Sequence, residues 1–219
     1  MPPRGPSEQL NNMANEKNKI KAVIFDWGGV CCREGEPFAS KALQKSLSMN
    51  PEQIAEKVRD IYIGYYIGKY DRDSFWRAIM EYFDLKETAK INPAALSDAY
   101  LNSYSIYQDV LDVALQLKKK YQVALLSNLT PQMRNHIRLT HQTKKYFKPE
   151  VYSCDADVKS MKPDPRPFRV ILKKMGLPAK DCLFIDNSLK NIQTAQKLGF
   201  HTILFENRLQ FFKEIKNIM

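Results

Sequence analysis

Much that would announce a specialised protein is missing from this chain. Its four cysteines, Cys31, Cys32, Cys154 and Cys182, form no CxxC pair and keep no regular spacing. That pattern excludes the usual zinc-site and disulfide frameworks, and reduced, partly buried thiols packing as small hydrophobes are expected instead. No apolar run approaches the roughly 20 residues that a membrane helix needs, and no hydrophobic signal segment stands at the N-terminus, so a cytoplasmic protein with no membrane role is expected. The net charge of +10 comes with no arginine-rich block and no nucleic-acid motif. Its lysines are scattered over helical stretches, at Lys118 to Lys120, Lys144 and Lys145, and Lys173 and Lys174. A solvated basic surface is therefore the reading, one that favours phosphorylated ligands over nucleic acid.

What is there is an ordinary globular composition. The 219 residues are 44% hydrophobic and 26% charged, enough for a sizeable core in one large domain or one domain with an insertion. Residues 1–20 are polar, proline-bearing and poor in apolar groups, and are expected to form a disordered tail. From Lys21 onward short apolar runs recur: "AVIF" (22–25), "YQVALLS" (121–127), "EVYSC" (150–154), "CLFI" (182–185) and "HTILF" (201–205). Between the last four lie segments of helical spacing, two of them closed by glycine. Strands alternating with helices imply βαβ units, hence an α/β fold with a parallel, Rossmann-like sheet covered on both faces. The rhythm breaks once: the roughly ninety residues between the first two strands look wholly helical, with no strand-like alternation and no internal repeat. The expected division is a core of residues 21–35 and 108–219 and an all-helical insertion of residues 36–107, forming its own small bundle above the sheet.

In open α/β sheets the carboxyl ends of the strands deliver functional groups. Here those ends read Asp26, then Ser127 and Asn128, then Asp155, then Asp186 and Asn187. Any one of them is a good helix N-cap; four in succession at one sheet edge point to a shared polar site. The apolar strand that stops on Asp26 runs directly into a turn with two glycines.

Four ordered motifs carry a family resemblance: "FDWGGV" (25–30), "LLSN" (125–128), "MKPDPRPF" (161–168) and "LFIDNSLKNIQTAQKLG" (183–199). Together they resemble the haloacid dehalogenase superfamily of hydrolases, from about Lys21 to the end. The resemblance implies a phosphoryl-transfer site. Asp26 corresponds to the nucleophile that forms an aspartyl phosphate. Ser127, with the backbone N–H of Asn128 at a helix start, corresponds to the group that holds the phosphoryl oxygens, and Lys162 to the lysine paired with nucleophile and phosphate. Asp186 and Asn187 fall where the family binds magnesium. Asp26, Asp186 and the carbonyl of Gly28 would supply a Mg2+ shell completed by waters and a phosphate oxygen. The helical insertion corresponds to the family's cap, which closes over the site and selects the substrate.

Two departures matter. The family's phosphatases usually carry a second aspartate, the general acid and base, two positions after the nucleophile; here Gly28 stands there. Many members have two adjacent acids at the magnesium loop, where this chain has Asp186 followed by Asn187. A missing general acid costs about 10² to 10⁴ in rate, which favours substrates whose leaving groups need little protonation, such as anomeric sugar phosphates or acyl phosphates. Arg33, Glu34, Glu36 or a cap tyrosine stand as replacements, and sequence alone does not choose among them. The three histidines offer little by spacing, since His136 and His141 are five apart. The aromatic stretch "IYIGYYIGKYDRDSFW" (61–76) reads first as bundle core, with one or two of Tyr62, Tyr65, Tyr66 and Trp76 available as a sugar or base platform. The expectation is a magnesium-dependent phosphatase of a small phosphorylated metabolite. The alternatives are a catalytically idle phosphate- or protein-binding module and, less favoured, a metal-independent dehalogenase that would leave Asp186 unexplained.

Overall fold

The computed structural model describes residues 20–33 and 41–218; the tail 1–19, the start of the expected insertion, and Glu34 and Glu36 lie outside them. The chain enters through β1 (Ala22–Phe25), turns, and forms a two-residue strand, β2 (Cys32–Arg33). Five helices follow: α1 (Lys41–Leu47), α2 (Pro51–Lys57), α3 (Arg59–Tyr66), α4 (Arg72–Tyr82) and α5 (Pro93–Leu101). A second short strand, β3 (Ser105–Ile106), returns the chain to α6 (Gln108–Leu117). Strands and helices then alternate: β4 (Gln122–Ser127), α7 (Pro131–Thr140), β5 (Glu150–Tyr152), α8 (Pro165–Met175), β6 (Cys182–Asp186), α9 (Leu189–Lys197), β7 (His201–Leu204) and α10 (Arg208–Ile215).

The main sheet has the order β5-β4-β1-β6-β7, and every neighbouring pair is parallel. The five apolar runs read from sequence are its five strands. Their near-continuous hydrophobicity follows from burial on both faces. Val23, Phe25, Val123, Leu125, Leu183 and Ile185 pack into one cluster, and Ala22, Ile24, Ala124, Leu126, Cys182 and Phe184 into the other. α8 and α9 cover the second face through Phe168, Ile171, Ile192 and Ala195.

Local chemistry sets the helix ends. Asn50 with Gln53 and Asp71 with Ser74 form capping boxes. Thr130 and Asp164 cap α7 and α8 just ahead of a proline, and Gly176 closes α8 in the left-handed conformation. The cap at Thr130 places the start of α7 beyond Asn128, so the backbone of Asn128 belongs to a loop and not to the first turn of a helix.

Two features of the expected insertion differ from the sequence reading. It is not wholly helical: β3 pairs antiparallel with β2, Cys32 opposite Ile106 and Arg33 opposite Ser105. A strand of two residues cannot display alternation, and its partner lies at the other end of the insertion, beyond the reach of any local pattern. Nor is its core separate. Leu43, Ile54, Tyr65, Phe75, Trp76 and Leu96 belong to the same buried cluster as one face of the sheet. Gly68 marks the junction, because a Cβ there would fall 2.7 Å from the Cys154 carbonyl oxygen, and its φ of +73° suits only glycine. Gly68→Ala is expected to lose about 1–3 kcal/mol of stability, read as a lower urea midpoint at unchanged slope.

Candidate active site

β1 lies at the centre of the sheet, and the chain steps outward from it on one side to β4 and on the other to β6. Such a reversal opens a crevice at the carboxyl edge. Asp26 follows β1, Ser127 ends β4 and Asp186 ends β6, so three central strands deliver three polar side chains to one place. All three are buried, as is Lys162 from the loop before α8.

The lysine organises the group. Its Nζ donates to Asp186 Oδ2 at 2.6 Å and to the Leu126 carbonyl at 2.8 Å, and lies 3.1 Å from Asp26 Oδ2. An ammonium has three protons and here has three acceptors. The loop that carries it is held by Asn128, whose side chain donates to the Lys162 carbonyl at 2.9 Å and accepts from the Lys162 N–H at 2.8 Å.

The two carboxylates differ in their surroundings. Asp186 has no solvent exposure. Its Oδ1 accepts from the Ser188 N–H at 2.8 Å, its Oδ2 from Lys162, and the Asn191 amide bridges both oxygens at 3.1 and 3.0 Å. Asp26 accepts from the Trp27 N–H at 2.7 Å and otherwise faces a cleft of about 550 Å³. Burial pushes the Asp26 carboxyl up to about 7; Lys162 and the Ser127 hydroxyl pull it down and Asp186 raises it again. Burial acts to lower Lys162, but the two carboxylates outweigh it and hold the ammonium above its ordinary value.

The cleft places the residues singled out from sequence as follows. Asp26, Gly28, Ser127, Asn128, Lys162 and Asn187 line it; Asp186 and Asp155 do not. Asp186 lies behind the wall, engaged with Lys162 and Asn191. Asp155 pairs with Arg134 at 3.0 Å and accepts from the Tyr152 N–H, a local structural role. Asn187 presses against the glycine turn: a Cβ on Gly29, whose φ is +75°, would fall 2.2 Å from Asn187 Nδ2. Arg33 is exposed on β2. The Cys31 thiol donates to the Asp26 carbonyl at 3.2 Å, and burial pushes it well above its ordinary value, so it packs as a neutral group.

The opposite wall comes from the insertion. Tyr62 and Tyr66 face the cleft, whereas Tyr65 and Trp76 are buried in the core, Tyr65 stacked on Phe75 at 4.1 Å. Tyr100 and Tyr104 complete the wall. Sequence reasoning missed Tyr100, Tyr104 and Asn191. The last lies in the first turn of the helix after Asp186, a position that spacing could have flagged. It also set the histidines aside, yet the His136 and His141 rings lie 6.4 Å apart, and Tyr104 Oη is 2.7 Å from His141 Nε2. The turn that ends α7 at His141 folds the second ring back beside the first, which a helical wheel does not anticipate.

A buried lysine between two carboxylates, at the switch point of a parallel sheet and beneath a polar cleft, defines an α/β enzyme-like site. The chain matches the haloacid dehalogenase-like hydrolases over residues 20–199 and belongs to that family. It is 26% identical to a D-ribitol-5-phosphate phosphatase of Bacteroides thetaiotaomicron over 91% of this chain and 98% of that protein. Among solved structures it is similar to a haloacid dehalogenase family enzyme of the same organism, crystallised with magnesium and inorganic phosphate, at a TM-score of 0.75 and 25% identity over 88% of this chain and 99% of that one. It shares its fold with an L-2-haloacid dehalogenase of Xanthobacter autotrophicus, at a TM-score of 0.54 and 22% identity over 84% of this chain and 76% of that one. Among the described residues no helix is long and apolar enough to cross a membrane.

The raised carboxyl at Asp26 has a measurable consequence. Its ordinary value is 3.8 and its folded value about 7, so the folded state holds the proton more tightly. The stability linked to that proton is fully present below the unfolded value and is lost as pH rises toward the folded one. Asp26→Asn removes the penalty. In EDTA the variant is expected to be more stable than the parent at pH 8, with the advantage shrinking toward pH 4.5, as measured by urea unfolding at each pH.

Proposed function

We propose that the protein is a magnesium-dependent phosphatase of a small phosphorylated metabolite and works through an aspartyl phosphate on Asp26. One observation carries this reading: among the described residues Asp26 is the single carboxylate that faces the cleft, and it is oriented by Lys162 and the Trp27 N–H from below while Ser127 stands beside it. The relative that hydrolyses D-ribitol 5-phosphate, together with four tyrosines on the facing wall, supports a hydroxylated, phosphorylated substrate. The insertion, residues 36–107, is read as the cap that supplies this wall.

In the first step Asp26 attacks phosphorus, and the ester oxygen leaves. Lys162 keeps the attacking oxygen aimed and its positive charge offsets the charge that gathers on the phosphoryl group, while the Ser127 hydroxyl donates to a phosphoryl oxygen. Water then cleaves the aspartyl phosphate and regenerates the carboxylate. With three acceptors already on its ammonium, Lys162 acts by position and field and donates no proton.

The donor set fits magnesium in a water-rich mode. Among the described residues no three His, Cys, Asp or Glu side chains gather as a metal cage. Magnesium needs only one or two carboxylates beside waters and substrate phosphate. Asp26, the Gly28 carbonyl and the Asn187 side chain line the cleft and would hold it, whereas Asp186 serves the lysine. Bound there, the ion would neutralise phosphate charge and orient the phosphoryl group.

Phosphate release from a panel of polyol phosphates, sugar phosphates and acetyl phosphate, with magnesium or EDTA, tests the reading. Magnesium-dependent release that disappears in Asp26→Asn is expected. Retained turnover in that variant, or halide release from haloacids in EDTA, would overturn it. Asn187→Asp restores a second carboxylate at the cleft and is expected to tighten magnesium binding several-fold in calorimetry without substrate.

A further inference from the structure

We infer that the Tyr104 hydroxyl, held by His141, is the proton donor to the leaving group, taking the place left empty by Gly28; this rests on the phosphatase reading above. Among the described residues that line the cleft, Asp26 is the only acid, and it is occupied as nucleophile. Among the described residues, a second proton-transfer group has to come from a side chain other than a carboxylate on the wall.

The strand pair unseen in the sequence brings one there. Asp26 is followed by the Gly28–Gly29 turn, Gly28 bridges to Cys32, and the Gly29 N–H donates to the Cys32 carbonyl at 2.9 Å. Cys32 opens β2, β2 pairs with β3, and Tyr104 immediately precedes β3. The Tyr107 N–H adds a bond to the Cys31 carbonyl at 2.9 Å. A short ribbon thus fastens the backbone at Tyr104 to the turn that carries the nucleophile, and Tyr104 and Asp26 line one cleft.

The phenol is also held from behind. Its oxygen lies 2.7 Å from His141 Nε2, and the His141 ring sits 6.0 Å from that of Trp27, the residue next to Asp26. Burial lowers both His141 and His136, which keeps the imidazole neutral. Burial likewise pushes Tyr104 up to about 12, so it is protonated and ready to donate at neutral pH. The other cleft phenols are engaged with one another: Tyr66 and Tyr100 are hydrogen-bonded, and Tyr100 reaches Thr130 at 3.5 Å. In the tautomer with its proton on Nε2, His141 donates to the Tyr104 oxygen, and the phenolic proton is left to the Thr140 side chain, an acceptor that a substrate ester oxygen would replace.

The protons balance over the two steps. As the phosphorus–oxygen ester bond breaks, the Tyr104 proton passes to the leaving alkoxide, giving the alcohol and a phenolate that accepts from His141 Nε2–H. Water attacking the aspartyl phosphate gives a proton to that phenolate. Asp26, Tyr104 and free phosphate are restored.

The test is a leaving-group series on Tyr104→Phe, which keeps the ring. Single-turnover release of the leaving group, which isolates the first step from the aspartyl phosphate hydrolysis common to all substrates, is expected to slow about 10²-fold or more for alkyl phosphates and less than about tenfold for p-nitrophenyl phosphate and acetyl phosphate, which leave without protonation. His141→Gln is expected to show the same selective loss more weakly and to add nothing in the Tyr104→Phe background, the mark of a positioning residue. An equal loss across the series in folded Tyr104→Phe, or a selective loss in Glu34→Gln or Glu36→Gln instead, would overturn the inference. Absence of turnover in the parent for every leaving group would overturn the phosphatase reading itself, so the two failures are distinct.

Discussion

A buried ammonium with three acceptors fixes almost everything at the carboxyl edge of this sheet. Lys162 binds the end of β6 through Asp186, the end of β4 through the Leu126 carbonyl, and the start of the glycine turn after β1 through Asp26. Burying one cation and two anions is costly, and such a group is tolerated only when its hydrogen bonds are complete. Here Asn191, Ser188 and Trp27 supply the remaining donors to the carboxylates, and Asn128 fixes the loop that brings the lysine in. The triad carries one net negative charge, and of its two carboxylates the one with access to the cleft is the one whose proton affinity burial has raised.

That division of labour explains why two aspartates at neighbouring strand ends do different work. Asp186 is saturated with donors and sealed, so it acts as the counter-ion that keeps the lysine charged and still. Asp26 keeps lone pairs toward the cleft. Placing Asn187, and not a second acid, against the Gly29 turn limits the negative charge beside Asp26. A further carboxylate there would raise Asp26 still more unless a cation were bound.

The frame of this arrangement was legible in the sequence because it is local. A fully buried parallel strand must be a continuous apolar run, and a catalytic edge must break that run with polar residues; "AVIF" before Asp26, "ALLS" before Asn128 and "CLFI" before Asp186 show both. What remained hidden depends on contacts between distant segments. Nothing in the spacing shows that Asp155 would turn to Arg134, or that Asp186 would be walled off while its neighbour Asn187 faces the cleft. In the aromatic stretch, Tyr62 and Tyr66 share one helix face and Tyr65 lies on another. Which face meets the sheet was decided by the docking of Gly68 onto Cys154, a close approach that helical periodicity does not record.

The β2–β3 ribbon is the clearest case, because it changes what the missing acid means. Read along the chain, Gly28 removes a proton donor and suggests a crippled enzyme. Read in space, the left-handed conformation of Gly29 turns the chain back, Gly28 bridges to Cys32, and that bridge leads into the strand on which the far end of the insertion docks. An aspartate at position 28 would carry its acid on the turn itself. The turn anchors a segment that brings the Tyr104 phenol to the cleft wall, where His141 at the end of α7 holds it from behind. Because the ribbon ties the backbone at Tyr104 to the turn, the phenol would keep its place relative to Asp26 if the rest of the insertion moved. The four residues of this strand pair thus fix where the far end of the insertion meets the glycine turn.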